Sequence, residues 1–385
     1  MKVSRHHKRI SLKTKVVDRI EKVPVEEWKG VFPDILEGYE FFKTLDESGF
    51  DQFTLRYILV YDRDKLVGAT PCFLMNYSLD TSINGPLRRL SNLIKKMKPG
   101  IFSIKAVICG APMGQGRIGT SAPAKDTLEA VLRRMERMAR KEKAPIVAFK
   151  DFDKTYTCML DPLRKEGFSR FDSLPTTEMD VRFKDFEEYL MTLSSASRYD
   201  LRRKFKKAAS QSKIELEIMD EPDEDTFKEI YRLYQQMVDK HDMGFEIVPA
   251  DFFKNIAKNM PAHAKFFLWR IEGKLAAFLM ALVSKEVLID YYLGLDYEVA
   301  LKYHLYFVKF RDVMNWAIAN KIKKYDMGIT GYEPKRRLGF EFVPLYIYAK
   351  HRNAVIRPIF NFVCQFLKFE NFDSSLKRAK KQAKA

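Results

Sequence analysis

The stretches FTLRYILVYDRDKLVG (residues 53–68) and AKFFLWRIEGKLAA (residues 264–277) share one layout. Each has an apolar segment, a short polar turn ending in Lys-Leu, and a second apolar segment. That pattern is typical of two antiparallel strands joined by a tight turn. In both places a third predicted strand, a long helix and a short strand follow. The repeated order predicts two tandem copies of one domain.

The order of the predicted elements also indicates the fold class. In the second copy it runs strand, two helices, three strands, a long helix and a strand. This order predicts an α/β protein (α+β, mixed sheet), in which each domain has a mixed, largely antiparallel central sheet with helices on both faces. We expect the long helix at residues 299–320 and a final strand at 340–349.

A chain of 385 residues suits two domains, because one core rarely organises that length. We predict an N-terminal domain at residues 1–175, with a helical insertion at 77–103. The C-terminal domain is predicted at 176–350. Residues 351–385 are predicted to form an amphipathic, basic tail.

The chain is strongly basic, with 68 Lys and Arg against 51 Asp and Glu, a net charge of +17. Such a charge favours anionic partners, namely phosphorylated cofactors, nucleic acid or anionic lipid. A merely basic surface would explain it equally well. No segment has the interleaved cations and aromatics of a dedicated nucleic-acid module, so DNA is not an expected partner.

The four cysteines (Cys72, Cys109, Cys158, Cys364) lie far apart, with no CxxC spacing. This argues against zinc and against a disulfide framework, and it fits a reducing cytosol. No apolar run reaches the roughly 18 residues that a membrane span needs. The N-terminus is basic but lacks the apolar core of a signal peptide. We therefore expect a cytoplasmic protein without a metal.

Three motifs of the second half stand in a specific order. They are RYDLRRK (198–204), YYLGLD (291–296) and YDMGITGYEPK (325–335), the last followed by Gly339. With the order of elements, they make the chain resemble the GNAT acyltransferases, and in particular the Fem-like and CelD/BioF-like branch. The resemblance covers residues 180–350 in detail and residues 15–175 by element order alone.

The resemblance implies transfer of an acyl or aminoacyl group to an amine. In such folds two central parallel strands part, and the acyl donor lies in the wedge with its carbonyl against backbone N–H groups. The donor would be acyl-CoA or an acyl carrier protein, contacting Leu293, Gly294 and Leu295. A CoA pyrophosphate would lie at the start of the next helix, where exposed N–H groups attract phosphate.

The second copy departs from the usual pyrophosphate loop. It has no glycine after Gly294, and two acids, Asp296 and Glu298, follow. The first copy instead carries GQGRIG (114–119), where Gly114 and Gly116 would allow close approach and Arg117 offers charge. A plain strand-to-helix turn would explain that glycine-rich loop as well.

Acyl transfer to an amine needs a base, donors for the oxyanion and an acid for the leaving group. Asp326 ends a short strand beside the predicted wedge. Tyr332 could protonate the leaving group, and Lys335 could hold an anionic acceptor or stabilise the oxyanion. His304, one turn into the long helix, could act as a base or line the core. Alternatively, Asp326 caps a turn, Tyr332 packs and Lys335 is solvated.

Acceptor-binding residues are predicted from position. Asp290 and Tyr292 lie on the central strand, and a buried acid there would contact an acceptor amine or pair with the basic helix. His241, between two helices, lies where an acceptor pocket would close, or caps a helix. Arg198 and Arg202 of the basic helix could grip a phosphate of CoA, tRNA or a lipid headgroup, or form a solvated face.

The predicted function is N-acyl transfer from an acyl thioester to a small-molecule amine. Two alternatives stay open: aminoacyl transfer from charged tRNA, as in Fem-like proteins, and a non-catalytic scaffold that binds lipid or a protein partner. The aromatic, basic tail from residue 356 and the insertion helix at 87–98 suit peripheral docking at an anionic inner-membrane surface. A helix packed across the two domains would explain the tail equally well.

Overall fold

A computed structural model of the chain describes residues 12–78, 103–241, 247–366 and 376. The chain divides into two compact units. The first is built mainly from Phe50–Ser173 and the second from Leu174–Leu345, and the segment Tyr346–Lys368 returns to the first unit. The domain boundaries stated above stay predictions.

The first unit contains a mixed sheet of eight strands. They are β1 (Lys13–Val17), β2 (Phe53–Asp62), β3 (Lys65–Ser78), β4 (Ser103–Cys109), β5 (Gly119–Thr120), β6 (Ile146–Asp153), β7 (Ser169–Asp172) and β15 (Leu345–His351). Their order is β1-β2-β3-β4-β6-β15-β7, with β5 beside β3. The predicted hairpin forms, with Asp62 opposite Lys65, and β4 runs parallel to β6.

The second unit contains a mixed sheet of seven strands. They are β8 (Thr176–Asp180), β9 (Ile214–Met219), β10 (Ala264–Ile271), β11 (Lys274–Val283), β12 (Val287–Leu295), β13 (Lys324–Asp326) and β14 (Glu341–Val343). Their order is β14-β8-β13-β12-β11-β10-β9. Among the pairings of the described strands in this sheet, β12–β13 is the parallel one and the others are antiparallel. Each unit thus repeats one design, which confirms the predicted fold class.

The described helices lie before, between and after these strands along the chain. They are α1 (Val25–Lys29), α2 (Tyr39–Glu47), α3 (Ala124–Lys141), α4 (Thr157–Leu160), α5 (Phe186–Thr192), α6 (Ser195–Ala209), α7 (Glu224–His241), α8 (Ala250–Asn259), α9 (Tyr297–Ala300), α10 (Leu305–Ala319), α11 (Tyr332–Arg337) and α12 (Arg357–Phe366). The predicted insertion helix at 87–98 lies outside the described residues.

The long helix predicted at 299–320 is two helices, α9 and α10. Between them His304 adopts a left-handed backbone, with φ of 50° and ψ of 39°, and is the N-cap of α10. A left-handed residue cannot continue a right-handed helix, so the chain restarts there. The prediction of one helix, and of His304 inside it, was wrong.

The strand predicted at 340–349 is also two strands, β14 and β15, on either side of Pro344. The first pairs with β8 in the second sheet, and the other lies beside β7 in the first sheet. Proline lacks the N–H that a strand interior needs, so it marks the change of sheet. In the described part of the chain, every helix is too short or too polar to cross a bilayer.

Candidate active site

The two central strands of the second unit part after three residues. Val287, Leu288 and Ile289 of β12 pair in parallel with Lys324, Tyr325 and Asp326 of β13. Beyond them β12 continues to Leu295, whereas β13 ends and the chain turns at Gly328, whose φ is +67°. The far half of β12 is therefore released from β13, as the resemblance implied.

A β-bulge lies on β12 directly beyond this fork. Asp290 stands opposite Ala281 and Tyr292 opposite Met280, so Tyr291 is an extra residue on β12. A bulge bends its strand and re-aims the neighbouring groups. The bulge therefore lies where β12 continues beyond its pairing with β13.

Asp290 lies at the fork in a buried cluster. Its Oδ2 accepts hydrogen bonds from Lys309 Nζ on α10 and from Tyr325 Oη at 3.0 Å. The side chains of Lys309 and Asp290 are 0% and 8% exposed. The predicted pairing of Asp290 with the basic helix is therefore wrong, because its partner is Lys309. Lys309 and Tyr325 are not among the residues predicted for the site.

Asp326 ends β13 and is buried. Its Oδ1 accepts hydrogen bonds from Thr176 Oγ1 at 2.6 Å and from the Gly328 N–H at 2.7 Å. Burial raises the pKa of Asp326 from 3.8 to about 6, although both hydrogen bonds act in the opposite direction. A carboxyl of this kind changes charge close to neutral pH and can exchange a proton there.

The raised pKa of Asp326 predicts a pH dependence of stability. The folded protein holds the proton of the Asp326 carboxyl more tightly than the unfolded chain does. The stability that this protonated carboxyl contributes is therefore full below pH 3.8 and is lost as the pH rises to about 6. Asp326→Asn lacks this titration. Its unfolding free energy minus that of the wild type should therefore increase by on the order of 2–3 kcal/mol as the pH is raised from 4 to 7. Urea titrations of both proteins measure it. A difference that stays constant with pH would contradict the buried, perturbed carboxyl.

Lys335 ties down the loop that follows β13. Its Nζ donates to the carbonyl oxygens of Met327, Gly328 and Ile329 at 2.6, 3.0 and 3.0 Å. Burial lowers its pKa to about 8. Lys335 is buried, so the alternative of a solvated side chain is wrong. Its ammonium fixes the loop shape directly.

Tyr332 is the first residue of α11. The side chain is buried, and its Oη donates to the carbonyl oxygen of Pro175 at 2.9 Å. Its ring lies edge-on to Phe342. In this structure the hydroxyl therefore secures a contact within the second unit. Its role as an acid for the leaving group remains a prediction.

His304 lies against the basic helix α6. Its Nε2 is buried without a hydrogen-bond partner among the described residues. Burial lowers its pKa, and the nearby cations Lys207, Lys204 and Arg203 lower it further. A histidine kept neutral in this way can accept a proton or a hydrogen bond.

The predicted donor segment packs tightly against the sheet. Leu293, Gly294 and Leu295 stand opposite Leu279, Phe278 and Ala277 of β11. A Cβ on Gly294 would lie 2.3 Å from the Phe278 ring, so glycine is required there for packing.

The next helix, α9, is capped by Asp296, whose carboxylate accepts from the Glu298 N–H at 3.1 Å. This acid occupies the place where a pyrophosphate would lie, so the start of α9 does not fit that group.

The glycine-rich loop of the first unit is packed by its own chain. A Cβ on Gly114 would lie 1.9 Å from a carboxylate oxygen of Glu37, and one on Gly116 would lie 2.3 Å from the carbonyl oxygen of Lys150. The Gly116 N–H donates to the carbonyl oxygen of Asp151 at 2.9 Å. These glycines are thus explained by close packing, and the carboxylate of Glu37 would repel phosphate.

Arg117 is also engaged within the first unit. Its guanidinium lies 2.5 Å from Asp153 Oδ2 and donates to Gln115 Oε1 at 2.7 Å. It borders a cavity of about 390 Å³ that Ile118, Tyr156 and others line. Its positive charge is therefore largely balanced by Asp153, which weakens the predicted role in holding phosphate.

The predicted cations of α6 are partly paired. Arg198 donates to the carbonyl oxygen of Leu193 at 2.6 Å, and Arg202 lies 2.5 Å from Glu187. Arg203 and Lys204 both pair with Asp200. The ion pairs of Arg202 and Arg203 are exposed and therefore weak, so an anionic ligand can compete for these two cations.

The last two predicted acceptor residues have different surroundings. Tyr292 stands in an aromatic cluster, edge-on to Tyr234, Phe252 and Phe253 at centroid distances of 5.7–5.9 Å. His241 is the last residue of α7, and its side chain lies outside the described residues. Among residues 12–78, 103–241, 247–366 and 376, no three His, Cys, Asp or Glu side chains are placed to hold a metal ion.

Comparison with known proteins agrees with this geometry. Residues 195–336 match the family model described as "Acetyltransferase (GNAT) domain". A curated relative from Mycobacterium tuberculosis, "Putative 8-amino-7-oxononanoate synthase 2", is 22% identical over 327 residues, which are 82% of this chain. The chain spans only 42% of that relative's length.

Two solved structures show the same fold. FemX matches with a TM-score of 0.56 and 13% identity, over 90% of this chain and 100% of its own. A tandem GNAT protein from the clavulanic acid biosynthesis pathway matches with a TM-score of 0.50 and 9% identity, over 88% and 98%. Residues 195–336 are thus similar to a GNAT acetyltransferase domain, and the chain shares the fold of these two solved structures.

Proposed function

We propose that the second unit transfers an acyl group from an acyl thioester, of CoA or an acyl carrier protein, to a small-molecule amine. The observation that carries this proposal is the fork of β12 and β13, where pairing stops after Ile289 and Asp326. The GNAT match spans that fork. Donor carbonyl and attacking nitrogen would meet in the wedge, beside Asp290.

The donor's phosphates would bind at the start of α10. The helix has 15 residues, and its N-terminus lacks a side-chain cap, so its first N–H groups and dipole favour an anion. Lys204 and Lys207 of α6 act electrostatically on His304 at this helix start. This position replaces the start of α9, where Asp296 excludes phosphate. Arg198 and Arg202 lie on the same basic helix.

A second candidate donor is aminoacyl-tRNA. The observation that favours it is the row of cations on α6, which includes Arg202 and Arg203. The row of cations on α6 would contact the tRNA backbone without reading sequence. Either donor would lie in the same wedge and transfer its acyl or aminoacyl group to an amine acceptor.

A thermal-shift screen separates these donors. The protein is titrated with acetyl-CoA, a long-chain acyl-CoA, an acyl carrier protein loaded with that acyl chain, and charged tRNA. A productive donor at about 100 times its Kd should stabilise the fold by about 2.7 kcal/mol. If charged tRNA alone stabilises the protein, the donor is an aminoacyl-tRNA and not an acyl thioester. Stabilisation by no donor would favour a non-catalytic scaffold and contradict the proposal.

We also propose peripheral association with an anionic membrane surface. Helix α12 leaves Ile359 and Phe362 66% and 61% exposed, on one helical face. The sequence after it is rich in lysine. Replacing both residues with serine should reduce flotation with vesicles containing anionic lipid several-fold. Equal flotation of the variant and the wild type would exclude this helix as the docking surface.

A further inference from the structure

Two cysteines that are distant in the sequence lie opposite each other in the first sheet. Cys72 of β3 is the cross-strand neighbour of Cys109 of β4, and the two strands are antiparallel. The Gly110 N–H donates to the carbonyl oxygen of Pro71 at 3.0 Å. This bond lies beside the cysteine pair, so Cys72 and Cys109 form a non-hydrogen-bonded pair, the type in which opposite Cα atoms are only about 4.5 Å apart.

Both thiols lie on the same face of the sheet. Cys72 and Cys109 are buried in one apolar cluster, and Cys109 Sγ lies 3.2 Å from Thr70 Oγ1. Thr70 precedes Cys72 by two residues on β3, and residues two apart on a strand share a face. The Cys109 sulfur therefore contacts β3 on the face that carries Cys72. A disulfide joins Cα atoms about 4.4–6.8 Å apart, and the spacing of a non-hydrogen-bonded pair falls in that range.

We infer that Cys72 and Cys109 form a disulfide site, which a low-molecular-weight disulfide oxidises while the chain is unfolded or open at this place. The inference goes beyond acyl transfer and does not depend on it. The thiolate of one cysteine attacks the small disulfide and displaces one of its thiolates, which gives a mixed disulfide. The thiolate of the other cysteine then attacks the protein sulfur of that mixed disulfide. The S–S bond between the two strands forms as the second small thiolate leaves. The two cysteines are oxidised, and the small disulfide is reduced to two thiols that take up the two protons.

The folded sheet preserves the redox state in which it formed. Both cysteines are 0% exposed, and burial raises the pKa of both thiols, that of Cys109 to about 12. Because the thiolate is the attacking species, the reduced pair is unreactive inside the closed sheet. The disulfide, once formed, is likewise closed to an outside thiol. The pair therefore records the redox conditions in which the first unit folds.

The disulfide would also stabilise the first unit. It closes the chain segment of residues 73–108 into a loop, which restricts the unfolded chain. The bond joins strands that are already neighbours in the sheet, so the fold need not rearrange to form it. We expect the urea midpoint of the first unit to rise by about 1 M or more in the oxidised protein. Amide hydrogen exchange of β2 and β6 at increasing urea measures the midpoint of this unit separately.

Refolding under two redox conditions tests the site. The full chain is unfolded in urea and refolded by dilution, either with reduced glutathione alone or with a mixture of oxidised and reduced glutathione. Free thiols are then alkylated under denaturing conditions, and the peptides are mapped by mass spectrometry. We expect the mixture to yield a peptide that links Cys72 to Cys109, in a protein with the circular dichroism spectrum of the reduced form. Alkylation of both cysteines after oxidative refolding, or a linked product without that spectrum, would overturn the inference.

Two variants show whether the link is selective. Cys158→Ser removes the exposed thiol of α4 and should leave the yield of the link unchanged. Cys72→Ala removes one of the two sulfurs and should abolish the link. Disulfides from Cys109 to Cys158 or Cys364, formed in the wild type as often as the link to Cys72, would mean unselective oxidation and contradict the site.

The protection by folding has its own test. Folded, reduced protein is incubated with the same glutathione mixture, and the link is followed with time. It should form at least about 100-fold more slowly than in the refolding chain, and urea below the midpoint should accelerate it. Equal rates in the folded protein and the refolding chain would contradict the preserved redox state.

Discussion

Replacing Lys309 with methionine should lower the free energy of unfolding by about 3–5 kcal/mol, the cost of a broken buried ion pair. The substitution leaves the Asp290 carboxylate buried without its cation, and only Tyr325 still donates to it. Urea denaturation, followed by circular dichroism, measures the change. Tyr325, which is fully buried, provides a second readout through its environment in the near-ultraviolet spectrum.

Two comparisons make this result specific. Lys323→Met breaks the exposed pair with Glu286, whose partners are 70% and 60% exposed, and should cost about 1 kcal/mol or less. The double variant Asp290→Asn/Lys309→Met removes both buried charges and should recover much of the loss. A Lys309→Met protein as stable as Lys323→Met would show that Lys309 and Asp290 do not form a buried pair.

Asp290→Asn should reduce the rate constant kcat of acyl transfer about 10²- to 10⁴-fold, the usual contribution of a positioned base. The asparagine keeps the size of the side chain and can still accept a hydrogen bond from Lys309. It leaves the buried ammonium without its counter-charge, so this variant should also lose stability, and its rate is measured where it is fully folded. The measurement is a single-turnover assay with the donor that stabilises the protein. Circular dichroism confirms that the variant is folded.

The matched control for this prediction is Glu286→Gln. It neutralises an exposed carboxylate beside the start of β12, away from the fork, and should leave the rate within about twofold. Asp290→Asn with at least half of the wild-type rate would exclude Asp290 as the base. Proton transfer would then be reassigned to Asp326, whose pKa lies at about 6.

The repeated fold could be predicted because its signals are local. In the hairpins at residues 53–78 and 264–283, two apolar segments flank a polar turn. Both hairpins form as expected. The errors came from single residues that interrupt an element. His304 adopts a left-handed backbone within an apolar helical pattern, and Pro344 divides one apolar run between two sheets.

The site was harder to predict because its partners are distant in sequence. Asp290 could be identified, since a lone acid on an apolar strand must find a partner. Its partner Lys309 had a readable signal, as it falls on the apolar face of α10 with Leu305 and Val313. The hydroxyl of Tyr332 bonds to Pro175, 157 residues away, a contact that no local pattern reveals.

The most direct test of the account is a crystal structure with a non-hydrolysable analogue of the donor that stabilises the protein. The central claim is that the released half of β12 seats the reacting carbonyl. We predict the analogue's carbonyl oxygen within about 3 Å of a backbone N–H next to the bulge at Tyr291. The claim would be contradicted by β12 and β13 paired past Tyr291, or by the analogue bound away from Asp290.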